Sequence, residues 1–377
     1  MTAKFIILDG NSLANRAFYA LPMLSNSQGQ ITNAIFGFSK MLFKILHEEK
    51  PDYLAVAFDK GRTVFRHQYY ADYKAQRKAT PEELRSQFPL LKDLLKAMNI
   101  TIYEIEGYEA DDIIGTMVRK AEKAGLHSII VTGDRDALQL VTEQTTVLLT
   151  KKGISEVEAY TPVTLFEKLG LTPRQIIDLK GLMGDSSDNI PGIPGVGEKT
   201  ALKLLKEYGS LEKILTHKHD YQGKKLGDLL EQYSEQARLS KQLATIDCNV
   251  PIEDDIAVCR KAAPDYPRLI ELLQQLEFKN ILQDVLAEMK KDDNYPPCLQ
   301  EEQCPGLIIE RPGALAEYLR QNEGWLGFLA QTQKKGNTFE LISLGLTGRG
   351  REAAALSWRD AEDLQEYIEV LAPYLEN

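Results

Sequence analysis

Three short apolar runs, each closed by an aspartate, constrain this chain more than any other feature. Lys4-Phe-Ile-Ile-Leu8 stops at Asp9, Tyr53-Leu-Ala-Val-Ala-Phe58 stops at Asp59, and Ser128-Ile-Ile-Val131 runs into Thr132-Gly-Asp134-Arg-Asp136. Runs this short and this apolar read as strands buried on both faces. Helical patterns separate them. Residues 34–49 carry Ile35, Phe38, Leu42, Ile45 and Leu46 at helical spacing before Pro51. Gly107-Tyr-Glu109-Ala-Asp111-Asp112 opens another helix after a strand at residues 101–104. Such alternation predicts an α/β fold with a mainly parallel sheet flanked by helices.

In an open parallel sheet the ligand crevice lies at the carboxyl ends of the strands. One aspartate there is an ordinary helix N-cap. Three from distant strands, joined by the acidic segment at 109–112, point to a shared site. Glu109 and Asp112 are three apart and are expected to share a helix face, with Asp111 pointing elsewhere in that turn. Carboxylates crowded together cannot all stay ionised without cations. An all-oxygen set without His or Cys suits Mg²⁺, with Mn²⁺ as a substitute, over zinc. Two such ions about 4 Å apart are the usual device for splitting a phosphodiester, one activating water and the other stabilising the departing oxygen.

The formal net charge of −10 argues on average against a nucleic-acid partner, but binding depends on where the charges sit. Residues 60–92 hold eight Lys/Arg against three acids, interleaved with Phe65, Tyr69, Tyr70 and Tyr73. Basic groups find phosphates and rings stack on unpaired bases. An amphipathic helix is expected from Pro81 to Met98. Further on, Asp185 and Asp188 precede a turn with three glycines and two prolines in seven residues, Pro191 to Gly197. The helix that follows, with Lys199 in its first turn, offers amides to a phosphate. Lysines from Lys203 to Lys225 suggest a second basic surface, and His217 and His219 read as exposed loop residues.

Cys248, Cys259, Cys298 and Cys304 have no zinc-like spacing, no run nears the ~18 apolar residues of a membrane span, and the N-terminal apolar run is too short for a signal peptide. A reduced, intracellular protein is expected. Residues 291–306 read as a linker. Residues 307–377 read as strand, helix, strand, strand, helix, a partial α+β domain.

The motifs LDGNS (8–12), AFD (57–59), YKAQR (73–77), GYEADDIIG (107–115), TGDRD (132–136) and GLMGDSSDNIPGIPGVGEKTA (181–201) resemble the 5′-nuclease domain of bacterial DNA polymerases of type I, within the flap-endonuclease superfamily. The resemblance covers about residues 1–290. It implies a PIN/resolvase-like domain at 1–170 with a helical arch over 60–98, and a helical DNA-binding subdomain at 171–290 with a helix–three-turn–helix motif. It assigns Asp9, Asp59, Glu109, Asp111 and Asp112 to one metal group, and Asp134, Asp136, Asp185 and Asp188 to a second, with Asp112 also counted as catalytic. Lys74 and Arg77 would contact the scissile phosphate, Lys78 would add a DNA contact, and Tyr73 would stack on a base. Gly192, Gly195, Gly197 and Lys199 would grip the duplex backbone, and carbonyls of that turn would hold K⁺. The expected partners are DNA with a 5′ flap, nick or gap and an RNA primer on DNA, met by a monomer in a bacterial cytoplasm and at the nucleoid during repair.

The tail resembles the start of the 3′–5′ exonuclease-like domain. Phe328-Leu329-Ala330-Gln331 stands where the proofreading form has Asp-x-Glu, so an inactive remnant is expected. A non-catalytic DNA-junction binder is the alternative reading, and its mark would be loss of the acids. A phosphatase is excluded because Asp9-Gly-Asn11 lacks the Asp-x-Asp continuation, and a single-strand ribonuclease of the related small fold would lack the glycine-rich turn.

Overall fold

In the computed structural model the apolar runs all become strands, and the sheet they build is the floor of the site. The structure describes residues 2–151, 156–290, 307–321, 326–335, 338–348, 354–358 and 361–375. The first sheet contains β1 (Lys4–Asp9), β2 (Tyr53–Ala57), β3 (Thr101–Tyr103), β4 (His127–Thr132), β5 (Thr145–Thr150) and β6 (Val157–Tyr160). Its order is β3-β2-β1-β4-β5-β6. Every pairing is parallel except that of β6, which runs antiparallel to β5. Phe5, Ile6, Ile7 and Leu8 of the central strand β1 are wholly buried, as a strand covered on both faces requires. The chain leaves β1 toward β2 and leaves β4 toward β5. The strand order therefore reverses between β1 and β4, where a crevice opens at the carboxyl ends.

Helices α1 (Gly10–Ala20), α2 (Asn33–Glu49), α3 (Glu82–Arg85), α4 (Phe88–Ala97), α5 (Ala110–Lys123) and α6 (Pro162–Leu169) surround this sheet in sequence. The single helix expected from Pro81 to Met98 is broken into α3 and α4. Pro89 lies in the first turn of α4, where its missing N–H is tolerated but the preceding turn cannot continue through it. Gln87, buried at the break, accepts hydrogen bonds from the amides of Ala34 (2.9 Å) and Ile35 (3.2 Å) and so closes the start of α2. Leu84, Leu91, Leu94 and Leu95 are buried as well. Over the 60–98 segment expected as a helical arch, regular helix is confined to α3 and α4, and residues 60–81 hold one short 3-10 segment, Phe65–Gln68, among turns and irregular backbone.

The next helices are α7 (Pro173–Met183), α8 (Glu198–Tyr208), α9 (Leu211–Thr216), α10 (Lys225–Gln232), α11 (Ser234–Ala244), α12 (Tyr266–Gln275) and α13 (Lys279–Met289). Leu182, Ile193, Val196, Leu204 and Ala237 from this helical part share one apolar core with Ile113, Met117 and Ile130. Residues Met1–Glu288 accordingly form one compact unit.

The second unit, Met289–Asn377, has β7 (Leu307–Ile309), α14 (Pro312–Gln321), β8 (Leu326–Lys335), β9 (Thr338–Gly348), β10 (Ala354–Leu356) and α15 (Ala361–Leu375). Its sheet order is β7-β10-β9-β8. Strand β10 was not expected, because three residues are too few to show a period. Phe328–Gln331 falls on the edge strand β8. The expected linker at 291–306 lies outside the described residues. Among the described residues no helix is long and apolar enough to cross a membrane.

Candidate metal and phosphate site

Asp9 is both an N-cap and a member of the cleft. One carboxylate oxygen accepts the Ser12 amide at 2.9 Å, starting α1, and the other accepts the Thr132 hydroxyl at 2.8 Å from the end of β4. Asp59 accepts the amide of Ala110 at 2.8 Å, and its own amide donates to the Asn11 side chain at 2.9 Å. These bonds tie the ends of β1, β2 and α5 together. Asp134 caps the next turn by accepting the Asp136 amide at 2.9 Å. Asp9, Asp59, Glu109, Asp111 and Asp134 line one cleft of about 400 Å³, shared with Lys74, Arg77 and Lys78. Among the described residues no three acidic, His or Cys side chains close in on one point at metal-ligand spacing; the carboxylates stand along the walls.

Burial and mutual repulsion set the protonation of these groups. Burial, with the charges of Asp59 and Asp134 adding to it, pushes the Asp9 carboxyl up to about 7, against the bonds from Ser12 and Thr132. Burial and the nearby Asp9 and Asp134 raise Asp111 well above the carboxylate range. Asp59 is raised too, chiefly by burial. Glu109 goes the other way. Burial would raise it, but Lys74 and Arg66 outweigh burial and hold it low.

The acids nearer the glycine-rich turn have cations of their own. Lys180 of α7 bridges Asp136 (2.8 Å) and Asp185. Burial and the charge of Asp134 push Asp136 up to about 6, whereas Lys180 and Ser187 outweigh burial and hold Asp185 at about 2. Asp188 pairs with Arg77 at 3.1 Å and stands 3.5 Å from Lys74.

Three expected site residues are placed elsewhere. Asp112 is fully buried and faces away from the cleft. Arg66 grips it with two 2.7 Å bonds, while the amides of Glu109 (3.1 Å) and Asp247 (2.8 Å) supply the remainder. Glu109 and Asp112 do share a face, since one Arg66 nitrogen bonds both, at 2.9 and 2.7 Å. Asp111 lines the cleft beside Glu109 and does not point elsewhere, which corrects its expected direction. Tyr73 is 3% exposed, and its hydroxyl donates to Glu109 at 3.0 Å. Its ring is a strut under the cleft and offers no open face to a base. Gly192 is also interior. Its amide donates to Ser240 (3.0 Å), its carbonyl accepts from Gln236 (2.6 Å), and it touches no open surface. Gly195, Gly197 and Lys199 are exposed at the start of α8, which has no side-chain cap, so amides of its first turn are left for a ligand.

Several residues were missed by sequence reasoning. Arg66 and Lys180 carry the compensating charge, and Asn11, Asn15 and Tyr19 of α1 form part of the cleft wall. Only the four-residue spacing of those last three gave a signal.

Residues 4–170 match the family described as 5′-3′ exonuclease, N-terminal resolvase-like domain, and residues 171–267 match 5′-3′ exonuclease, C-terminal SAM fold. This chain belongs to the 5′-3′ exonuclease family. It is 51% identical over 294 residues to DNA polymerase I of Bacillus subtilis (strain 168), a match covering 77% of the chain and 33% of that relative. With DNA polymerase I of Geobacillus stearothermophilus it shares 52% over 299 residues, 78% of the chain and 34% of the relative. The chain therefore spans about a third of the length of these relatives. The fold is similar to that of T5 5′-exonuclease, solved with divalent zinc bound (TM-score 0.55, 23% identity, 75% of this chain and 98% of that one). The catalytic core of Rad2, solved with a DNA substrate, is similar at TM-score 0.52 and 16% identity, over 75% of this chain and 92% of that one.

Proposed function

We propose that this 5′-3′ exonuclease hydrolyses DNA phosphodiesters at 5′ ends and flaps, and the RNA primer on DNA, as a monomer that forms the N-terminal part of a DNA polymerase I in replication and repair. The observation that carries the reading is the set of cleft acids, Asp9 buried and Asp59 and Asp111 half-buried, all raised chiefly by their loss of water and by neighbouring carboxylates. They open on the same cleft as Lys74 and Arg77. The donor set fits a hard divalent cation, Mg²⁺ before zinc, because it is carboxylate throughout. Asp9, Asp59, Glu109, Asp111 and Asp134 would hold one group, and Asp136, Asp185 and Asp188 a second. Bound there, the cations would neutralise the acids and activate water for attack on a phosphodiester. Lys74 and Arg77, now paired with Glu109 and Asp188, exchange those partners for the phosphate and orient it.

Residues 1–170 are assigned to chemistry and residues 171–290 to holding the duplex, with Gly195, Gly197 and Lys199 at the backbone. K⁺ at the turn would use carbonyls other than that of Gly192, which already accepts from Gln236. The tail is assigned no proofreading activity, since Phe328-Leu-Ala-Gln331 brings no acid to its strand. The non-catalytic alternative is disfavoured by the retained acids. A 5′-labelled flap duplex should be cut in Mg²⁺ and spared in EDTA. Substrate left intact in both Mg²⁺ and Mn²⁺ would remove the enzymatic reading.

A further inference from the structure

Tyr19 stands out because it is a large ring, 71% exposed, on the wall of an otherwise polar cleft. Asn11, Asn15 and Tyr19 are four residues apart on α1, so they form one stripe, and all three line the cleft. The opposite face of α1, with Leu13, Ala14 and Ala17, is buried in the protein. At 1.5 Å per residue the stripe runs about 12 Å from the metal-proximal end of α1 to its last turn. That last turn is fixed. The Phe18 carbonyl accepts the Asn33 side chain at 3.0 Å, and the Phe18 ring meets Tyr19 edge-on with centroids 5.1 Å apart.

Other rings do not compete. Tyr73 is buried, and Tyr69 leans on Phe65 without lining the cleft. Among the described residues Tyr19 is the one aromatic side chain on the cleft wall. An exposed ring on the wall of a cleft that also holds Lys74, Arg77 and Lys78 has a natural occupant in the proposed substrate, since every nucleobase offers a π-face to stack on it. We infer that Tyr19 is the stacking platform for an unpaired base near the cut, holding the substrate strand in register with the acids at the other end of α1. This rests on the proposed nuclease reading and adds a base subsite to it. A stack of this kind is indifferent to sequence, because it reads only the presence of a base.

The test uses the full chain and 5′-flap duplexes in Mg²⁺, with one abasic residue stepped through the positions on each side of the cut. Wild-type protein should show a drop in kcat/KM when the abasic residue reaches one particular position. Tyr19→Ala should lose about 10-fold in kcat/KM on intact substrate, within the range of one lost base stack. It should also be blind to the abasic residue at that position. Tyr19→Phe, which keeps the ring, should behave as wild type in both respects. Undiminished cutting by Tyr19→Ala, or an abasic penalty that persists in that variant, would overturn the inference. If wild-type protein cuts none of these substrates, the nuclease reading itself has failed.

Discussion

The acids nearest the sheet and the acids nearest the glycine-rich turn are built from the same residue types but neutralised differently. Asp9 is buried and Asp59 and Asp111 are half-buried beside other carboxylates, and desolvation and repulsion raise them. Asp185 and Asp188 have Lys180 and Arg77 at hand. The sheet-side acids are therefore under-compensated, with Lys74 and Arg77 only partly offsetting burial and repulsion, whereas Asp185 and Asp188 on the turn side are directly paired. Asp112 is the extreme of the second kind, a carboxylate so fully satisfied by Arg66 that it serves structure.

Replacing one acid from each side tests that contrast most severely. Asp111→Asn should lower single-turnover cleavage by about 10³-fold or more, since cation-held charge stabilisation is lost. Asp185→Asn should cost less, about 10- to 100-fold. Equal losses, or the reverse order, would show that the two sides do not differ in this way. Next in size, Arg66→Ala leaves Asp112 charged and unpaired in the interior, and denaturant unfolding should report a loss of about 3–5 kcal/mol. A loss under 1 kcal/mol would mean Asp112 is not held as described.

The pH dependence sharpens the comparison further. With Asp9 raised from 3.8 to about 7, the fold favours its protonated form. That contribution is complete below about pH 4 and fades as the pH climbs through 7. In EDTA, wild-type protein should thus lose stability between about pH 4 and about pH 7, by on the order of 1–3 kcal/mol, and Asp9→Asn should lose less. Mg²⁺ should flatten the wild-type slope; a slope unchanged by both treatments would count against the cleft as the source. The smallest effect belongs to Lys180→Met. It turns Asp136 and Asp185 into an uncompensated pair and should destabilise the metal-free protein by about 1 kcal/mol, given the partial exposure of that ion pair. Here the pH of half-maximal stability should shift toward acid.

Much of this was legible from the chain alone, and for identifiable reasons. A run such as Phe5–Leu8 can only be a buried strand in a protein of this size, so the sheet and the acids at its ends followed. Directions around a helix did not follow. Spacing relates Glu109 to Asp112 but does not say which face meets the cleft. Asp112 is turned inward by Arg66, 46 residues earlier, and by the amide of Asp247, 135 residues later. Tyr73 looked like a stacking ring because it lies among basic residues, yet its hydroxyl is drawn under the cleft by Glu109. Gly192 looked like part of a duplex grip, but Gln236 and Ser240 claim its backbone groups. The break at Pro89 was visible in the residue itself and was overridden by the amphipathic pattern on either side.

Gly184 and Gly192 meet backbone to backbone. A Cβ on Gly192 would lie 2.1 Å from the Gly184 nitrogen, and one on Gly184 would lie 2.4 Å from the Ile190 carbonyl oxygen. Both residues have positive φ, at 72° and 58°, so any side chain is refused twice, by space and by torsion. In a saturation-mutagenesis screen scored by survival or cleavage, these two sites would rank with the metal-facing acids as intolerant of every substitution, although neither need touch DNA or a cation. Only a parallel readout of folded protein would separate the two kinds of loss.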